Sequence, residues 1–198
     1  MILQFPKKTE LPTIDIKERN LPVISEEAWK ALIQANSPPR IFYHADRWVR
    51  VLHQKNGRIR LEELDGKKLR HELARQAVFV FKEKIDLPPH FLVDDLLSDP
   101  FPRLPVLKHI APAPLFSKGG DLRVQPGYNP ETQCYLTMNE GYYFNKIPVK
   151  PKEHLIIQAK NLIDELLCDF PFISPAEKAH AIALFLTPFV RLVFEGPI

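Results

Sequence analysis

The sequence predicts an α+β protein, with small antiparallel sheets and short helices first and a pair of amphipathic helices at the C-terminal end. Three observations carry that prediction. The apolar period is two between Ile41 and Leu61 and changes to three-and-four after Leu155, the marks of a half-buried strand and of a one-sided helix. Asn56-Gly57 lies between the two alternating runs and is a strong hairpin-turn signal. Twenty prolines against seven glycines fall between the periodic segments and read as rigid punctuation, not as a low-complexity run.

Taken in order, residues 1–22 show no sustained period and contain Pro6, Pro12 and Pro22, so an extended arm is expected there. Residues 23–86 are expected to form a helix followed by a basic sheet-and-helix unit. Ser25 reads as the helix N-cap, and Ala28, Trp29, Leu32, Ile33 and Ala35 as its buried face. Strands are predicted at Ile41-Phe42-Tyr43, over Trp48 to Leu52, and at Ile59 to Leu61, with arginines on the outer face of the sheet. After the Asp65-Gly66 turn, Leu69, Leu73 and Ala77 mark a short helix, and Val78-Phe79-Val80-Phe81 is expected to return as a strand to the same sheet.

Pro88-Pro89 is expected to open a second section, 87–150. A short helix is predicted over His90 to Leu97. Five prolines between Pro100 and Pro114 argue against regular structure there. Leu122–Val124 and Cys134–Leu136 read as two strands joined by the turn-rich 125–132 connection. Residues 151–198 are expected to be a helical pair. Leu155, Ile156, Ala159, Leu162, Ile163, Leu166, Leu167 and Phe170 keep helical spacing for four turns. Ser174-Pro175-Ala176-Glu177 is a capping box with proline at the first helical position, and the helix it starts is expected to be buried through Ile182, Phe185, Leu186 and Phe189.

The same residues exclude several function classes. Met1 to Pro6 is too short an apolar run for a signal peptide and is followed, not preceded, by Lys7-Lys8, so an intracellular, cytoplasmic protein is expected. The longest apolar stretch, Ala179 to Phe194, is broken by Thr187, Pro188 and Arg191, so no membrane span is expected. Cys134 and Cys168 form neither a disulfide framework nor a CxxC zinc motif. Seven histidines form no HExxH or other close ligand pair, Asp94-Asp95 are adjacent and diverge on a helix, and no GxxxxGK[ST] loop or GxSxG elbow occurs. No catalytic residue, metal site or cofactor is expected.

Charge supplies the positive signal. The net +3 is small, but residues 40–84 hold twelve Lys or Arg against six Asp or Glu. Arg47, Arg50, Arg58 and Arg60 on the sheet, with Lys67, Lys68, Arg70 and Arg75 on the adjoining helix, are the candidate nucleic-acid-binding residues, because such a patch neutralises phosphates without choosing sequence. Tyr43 and Trp48 are candidate base-stacking aromatics. The alternative is an ordinary solvated face balanced by Glu62, Glu63, Asp65 and Glu72.

Ala35-Asn36-Ser37-Pro38-Pro39-Arg40-Ile41-Phe42, Arg47-Trp48-Val49-Arg50-Val51, Leu104-Pro105-Val106-Leu107, Gly127-Tyr128-Asn129-Pro130 and Thr187-Pro188-Phe189-Val190-Arg191 together resemble one known arrangement. It is similar to the segment that precedes the AAA+, superfamily 3-like ATPase in phage and integrative-element primase-helicases, over roughly residues 20–198. The resemblance implies a non-catalytic module that contacts single-stranded or duplex DNA and whose terminal helices lead into the ATPase domain, expected beyond Ile198. It implies no catalytic residue in this segment. The rival expectation is a protein-interaction or assembly domain without nucleic-acid binding.

Overall fold

The computed structural model describes residues 11–17, 20–54, 58–137, 148 and 150–194. In chain order the elements are β1 (Thr13–Asp15), α1 (Leu21–Ala35), β2 (Ile41–His44), β3 (Arg47–His53), β4 (Ile59–Glu63), α2 (Gly66–Gln76), β5 (Val78–Phe81), β6 (Lys84–Asp86), α3 (His90–Ser98), β7 (His109–Ala111), β8 (Leu115–Phe116), β9 (Leu122–Arg123), β10 (Gly127–Asn129), β11 (Cys134–Leu136), α4 (Glu153–Leu166) and α5 (Pro175–Val190). The α+β class is as predicted. Two compact units divide the chain, residues 1–109 and 110–198.

In the first unit, α1, α2 and α3 close one core with Ile14, Trp48, Leu64 and Phe79. Pro88-Pro89 does not separate α3 from what precedes it, because Leu92, Val93 and Leu96 enter that same core. The end of the expected arm is a strand: β1 pairs in parallel with β5, Thr13 opposite Val78, and buries Ile14 and Ile16. Helix α1 starts four residues before Ser25, with Pro22 in its first turn, where a missing N–H costs nothing. Ser25 is therefore an interior residue, and its Oγ donates to Asp95 Oδ2 at 2.5 Å. Ile33 and Ala35 face outward, and Ile24 and Ala31 take their places in the core.

Buried Asn36 turns the chain from α1 into β2. Its Oδ1 accepts from the N–H groups of Arg40 and Ile41, and its Nδ2 donates to the Ile41 carbonyl. Strands β2, β3 and β4 form an antiparallel sheet in that order, with Ile41 opposite Arg50 and Arg50 opposite Glu62. The predicted Asn56-Gly57 turn lies outside the described residues. Strand β5 does not return to this sheet; it joins β1 and β6 in a second one, since the parallel partner Thr13–Asp15 satisfies its edge. The proline-rich stretch is also more ordered than expected. Leu107 N–H donates to the Tyr43 carbonyl and Tyr43 N–H to that of Pro105, so residues 105–107 run along the edge of β2.

In the second unit, β10, β11 and β7 form one small sheet and β8 and β9 another. Gly127-Tyr128-Asn129 is thus a strand, not part of a connection. It pairs antiparallel with Cys134–Leu136, while Leu122–Arg123 pairs with Leu115–Phe116. Ala111, Leu115, Cys134 and Leu136 form a small core, with Leu192 packed against it. Helices α4 and α5 form where predicted. Ser174 Oγ accepts from Glu177 N–H at 3.4 Å, as the predicted cap requires, while Glu177 Oε2 accepts from Ile173 N–H at 2.8 Å, one residue before the N-cap. Lys178 Nζ ties α5 to Asp164 of α4 at 2.6 Å. The expected burial of α5 is not observed, for neither helix contains a buried residue.

Candidate nucleic-acid interface

The eight predicted basic residues do not share one face. Side chains alternate along a strand, so Arg47 and Arg50, three apart in β3, point to opposite sides of the sheet. Arg47, Val49 and Glu63 share one side, where Arg47 Nη1 pairs with Glu63 at 2.8 Å. Arg50 lies on the other side with Trp48, facing the helices. There it bonds Glu62 at 2.6 Å and Glu72 of α2 at 2.6 Å.

Glu72 is the centre of this arrangement. It is 3% exposed and accepts from Arg50, from Arg40 at 2.5 Å and from Gln76 Nε2 at 3.2 Å. Burial alone pushes the Glu72 carboxyl up, but the hydrogen bonds and charges of Arg40 and Arg50 outweigh it and hold the group below the usual glutamate range. Arg50 thus satisfies a buried carboxylate and is not presented to solvent. Arg60 pairs with Glu62 at 3.6 Å, and Lys68 reaches Glu62, Asp65 and the Glu63 carbonyl. Arg58 is exposed at the start of β4.

The remaining cations belong to α2. Asp65 caps the helix by accepting from the Lys68 N–H at 2.9 Å, and that bond, with the nearby lysine charge, holds its carboxyl below the usual range. Lys67, His71 and Arg75 recur every four residues and are all exposed, so they form one stripe along the outside of the helix. Arg75 Nη1 lies 2.9 Å from His71 Nδ1 within that stripe. Arg70, three residues after Lys67, borders it and donates its Nε to the Pro88 carbonyl at 2.7 Å. Lys67, Arg70 and Arg75 have no carboxylate partner among the described residues.

The predicted stacking aromatics are not placed for that role. Trp48 is buried and packs against Trp29, ring centroids 5.1 Å apart, while Tyr43 packs on the core and donates to Asp46 at 3.4 Å. Clefts of about 340 Å³ open instead in each unit. One, in the first unit, is lined by Arg70, Phe81, Asp86, Leu87, His90 and Phe91 among others. The other, in the second unit, brings together Arg123, Tyr128, Asn129, Thr132 and Cys134. In it Arg123 pairs with Glu131, and burial pushes both the Tyr128 hydroxyl and the Cys134 thiol up, so neither is primed as a base or nucleophile.

No family model, no curated protein and no solved structure is similar to this chain. Function is therefore argued from the site. Among the described residues, no group of three or more His, Cys, Asp or Glu is arranged to hold a metal, and no helix is long and apolar enough to cross a membrane. The helix pair that was expected to lead into an adjoining domain carries a broad apolar exterior. Leu155, Ile156, Ile157, Leu162, Leu166 and Phe170 of α4 and its C-terminal extension are all more than a third exposed, as are Leu184, Phe185 and Leu186 of α5. Their helical spacing was visible in the sequence, but spacing alone does not tell a core face from a docking face.

Proposed function

We propose that this chain is a non-catalytic, cytoplasmic module of a mobile-element replication machine, which docks onto an adjoining AAA+ ATPase domain through α4 and α5 and contacts DNA through α2. The observation that carries the reading is the pairing of nine large exposed apolar side chains with the complete lack of buried residues on those two helices. Burying a Leu or Phe side chain is worth about 1.5–3 kcal/mol, so covering even a few of them supplies the affinity of a specific interface. The choice of an ATPase as occupant follows from the likeness of the Thr187-Pro188-Phe189-Val190-Arg191 helix to the primase-helicase arrangement.

DNA contact is assigned to Lys67, Arg70 and Arg75; Arg47, Arg50, Arg60 and Lys68 are committed to acids and contribute little. That commitment favours a second reading, an assembly domain without a nucleic-acid partner. The experiment is a binding titration of the ATPase domain against wild type, Leu162→Glu and Leu184→Glu. Both positions are well exposed, so the variants fold. Docking predicts binding by wild type and its loss in both variants. A light-scattering mass of twice the monomer, with no ATPase binding, assigns the face to a second copy instead.

A further inference from the structure

We infer that the cleft between α2, the β5–β6 hairpin and the start of α3 takes one unstacked base of a single-stranded nucleic acid. This rests on the nucleic-acid reading of α2 above and names the form of nucleic acid that the site selects. The cleft holds about 340 Å³, at the small end of the roughly 300–1,000 Å³ of ligand pockets, and its lining is aromatic and polar at once. Phe81 packs against the core and also lines the cleft. Lys82 Nζ stands over that ring, 5.3 Å from its centroid, and so caps one of its faces, which leaves Phe91 as the aromatic surface that the cleft offers to a base.

Phe91 and Leu87, both exposed, complete an apolar rim of the cleft. Every base offers a π-face to such a surface, and stacking on it needs no particular sequence. The polar groups fit a base better than a phosphate. Arg70 is anchored through its Nε to the Pro88 carbonyl, and its two terminal nitrogens have no partner among the described residues. Asp86 accepts the Leu87 N–H through Oδ1 at 2.7 Å, and its Oδ2 has no partner among the described residues. That carboxylate repels a phosphate but accepts from an exocyclic amino group, whereas Arg70 donates to ring and carbonyl acceptors.

The track into the cleft is the α2 stripe. Lys67 to Arg75 spans about 12 Å of helix, and Arg70 adjoins it at i+3 from Lys67, so backbone phosphates held along the helix lead a strand directly to the rim. In a duplex the bases are stacked and paired, and no base is available to enter.

The test is fluorescence anisotropy of the full chain with a labelled single-stranded oligonucleotide, an abasic strand of the same length and a duplex, at two salt concentrations. The variants are Phe91→Ala, at an exposed position, and Lys67→Ala/Arg75→Ala. The inference predicts that wild type binds the base-bearing single strand on the order of tenfold tighter than the abasic strand or the duplex. Phe91→Ala should erase that difference while leaving the slope of log affinity against log salt unchanged, and the double variant should flatten the slope. Salt-dependent binding that is indifferent to bases and to Phe91→Ala overturns the base pocket and leaves phosphate contact standing. No binding of any strand by wild type overturns both.

Discussion

Replacing Glu72 by Gln removes one negative charge from beneath the β2–β3–β4 sheet and leaves the two arginines that converge on it unbalanced. Breaking one side of a buried ion pair costs roughly 3–5 kcal/mol, because the remaining charge stays desolvated. Here the loss falls at the low end. Arg40 has a side chain 45% exposed and regains water, while Arg50, at 21%, keeps Glu62. About 3 kcal/mol is expected, which at a urea dependence of about 1.5 kcal/mol per molar lowers the midpoint by about 2 M. Trp29 and Trp48, the chain's two tryptophans, stack in the adjacent core, so their fluorescence reports this unit. The pH dependence adds a second readout. The folded Glu72 carboxyl lies below its ordinary 4.5, so its contribution is complete above that pH and drains away as pH falls through and below it. Urea midpoints measured from pH 7 down to pH 3 should fall more steeply for wild type than for Glu72→Gln. A variant within about 0.5 kcal/mol of wild type at pH 7, with an unchanged acid limb, would refute the assignment of Glu72 as the keystone of this unit.

Two further outcomes follow from the packing. Ile14→Ala should destabilise the first unit by about 2–4 kcal/mol in the same fluorescence assay, since Ile14 is buried where β1 meets β5; a loss under about 0.5 kcal/mol would contradict the packing of β1 into that core. Titration with a thiol reagent should show one fast thiol in the native chain, exposed Cys168, and a second only on unfolding, because Cys134 is buried and its thiol is pushed up; two fast thiols would contradict the core of the second unit.

Much of the fold was legible because it is local. The alternation from Ile41 to Leu61 and the three-and-four spacing after Leu155 lie in consecutive residues, as does the Ser174 cap, and the matching strands and helices are present. What was not legible depends on distant residues. Parallel pairing of Thr13–Asp15 with Val78–Val80 joins segments some 65 residues apart and leaves no local mark. The β2–β3 and β5–β6 turns use Ala45-Asp46 and Lys82-Glu83, all with positive φ, where a glycine or asparagine would have announced a hairpin. Without that second hairpin Phe81, Asp86 and Phe91 could not be placed together, so the cleft was invisible.

The interface shows a different kind of miss. The period of two that identified β3 already separates Arg47 from Arg50, so a common arginine face was excluded by the same pattern that predicted the sheet. The capture of Arg40 and Arg50 by Glu72 was not readable, for those residues are 32 and 22 positions apart and meet only because α2 lies under the sheet. The stripe Lys67, His71 and Arg75 was readable, as helical spacing in a basic segment, and its Lys67 and Arg75, with neighbouring Arg70, are residues of the predicted patch that have no carboxylate partner among the described residues.

Calorimetric titration of the ATPase domain into this chain at several temperatures tests the docking role most directly. Covering the exposed leucines, isoleucines and phenylalanines of α4 and α5 removes apolar surface from water, so saturable binding with a clearly negative heat-capacity change is expected, absent in Leu162→Glu. No heat of association at any temperature, from a chain that is monomeric with both helices formed, would contradict it.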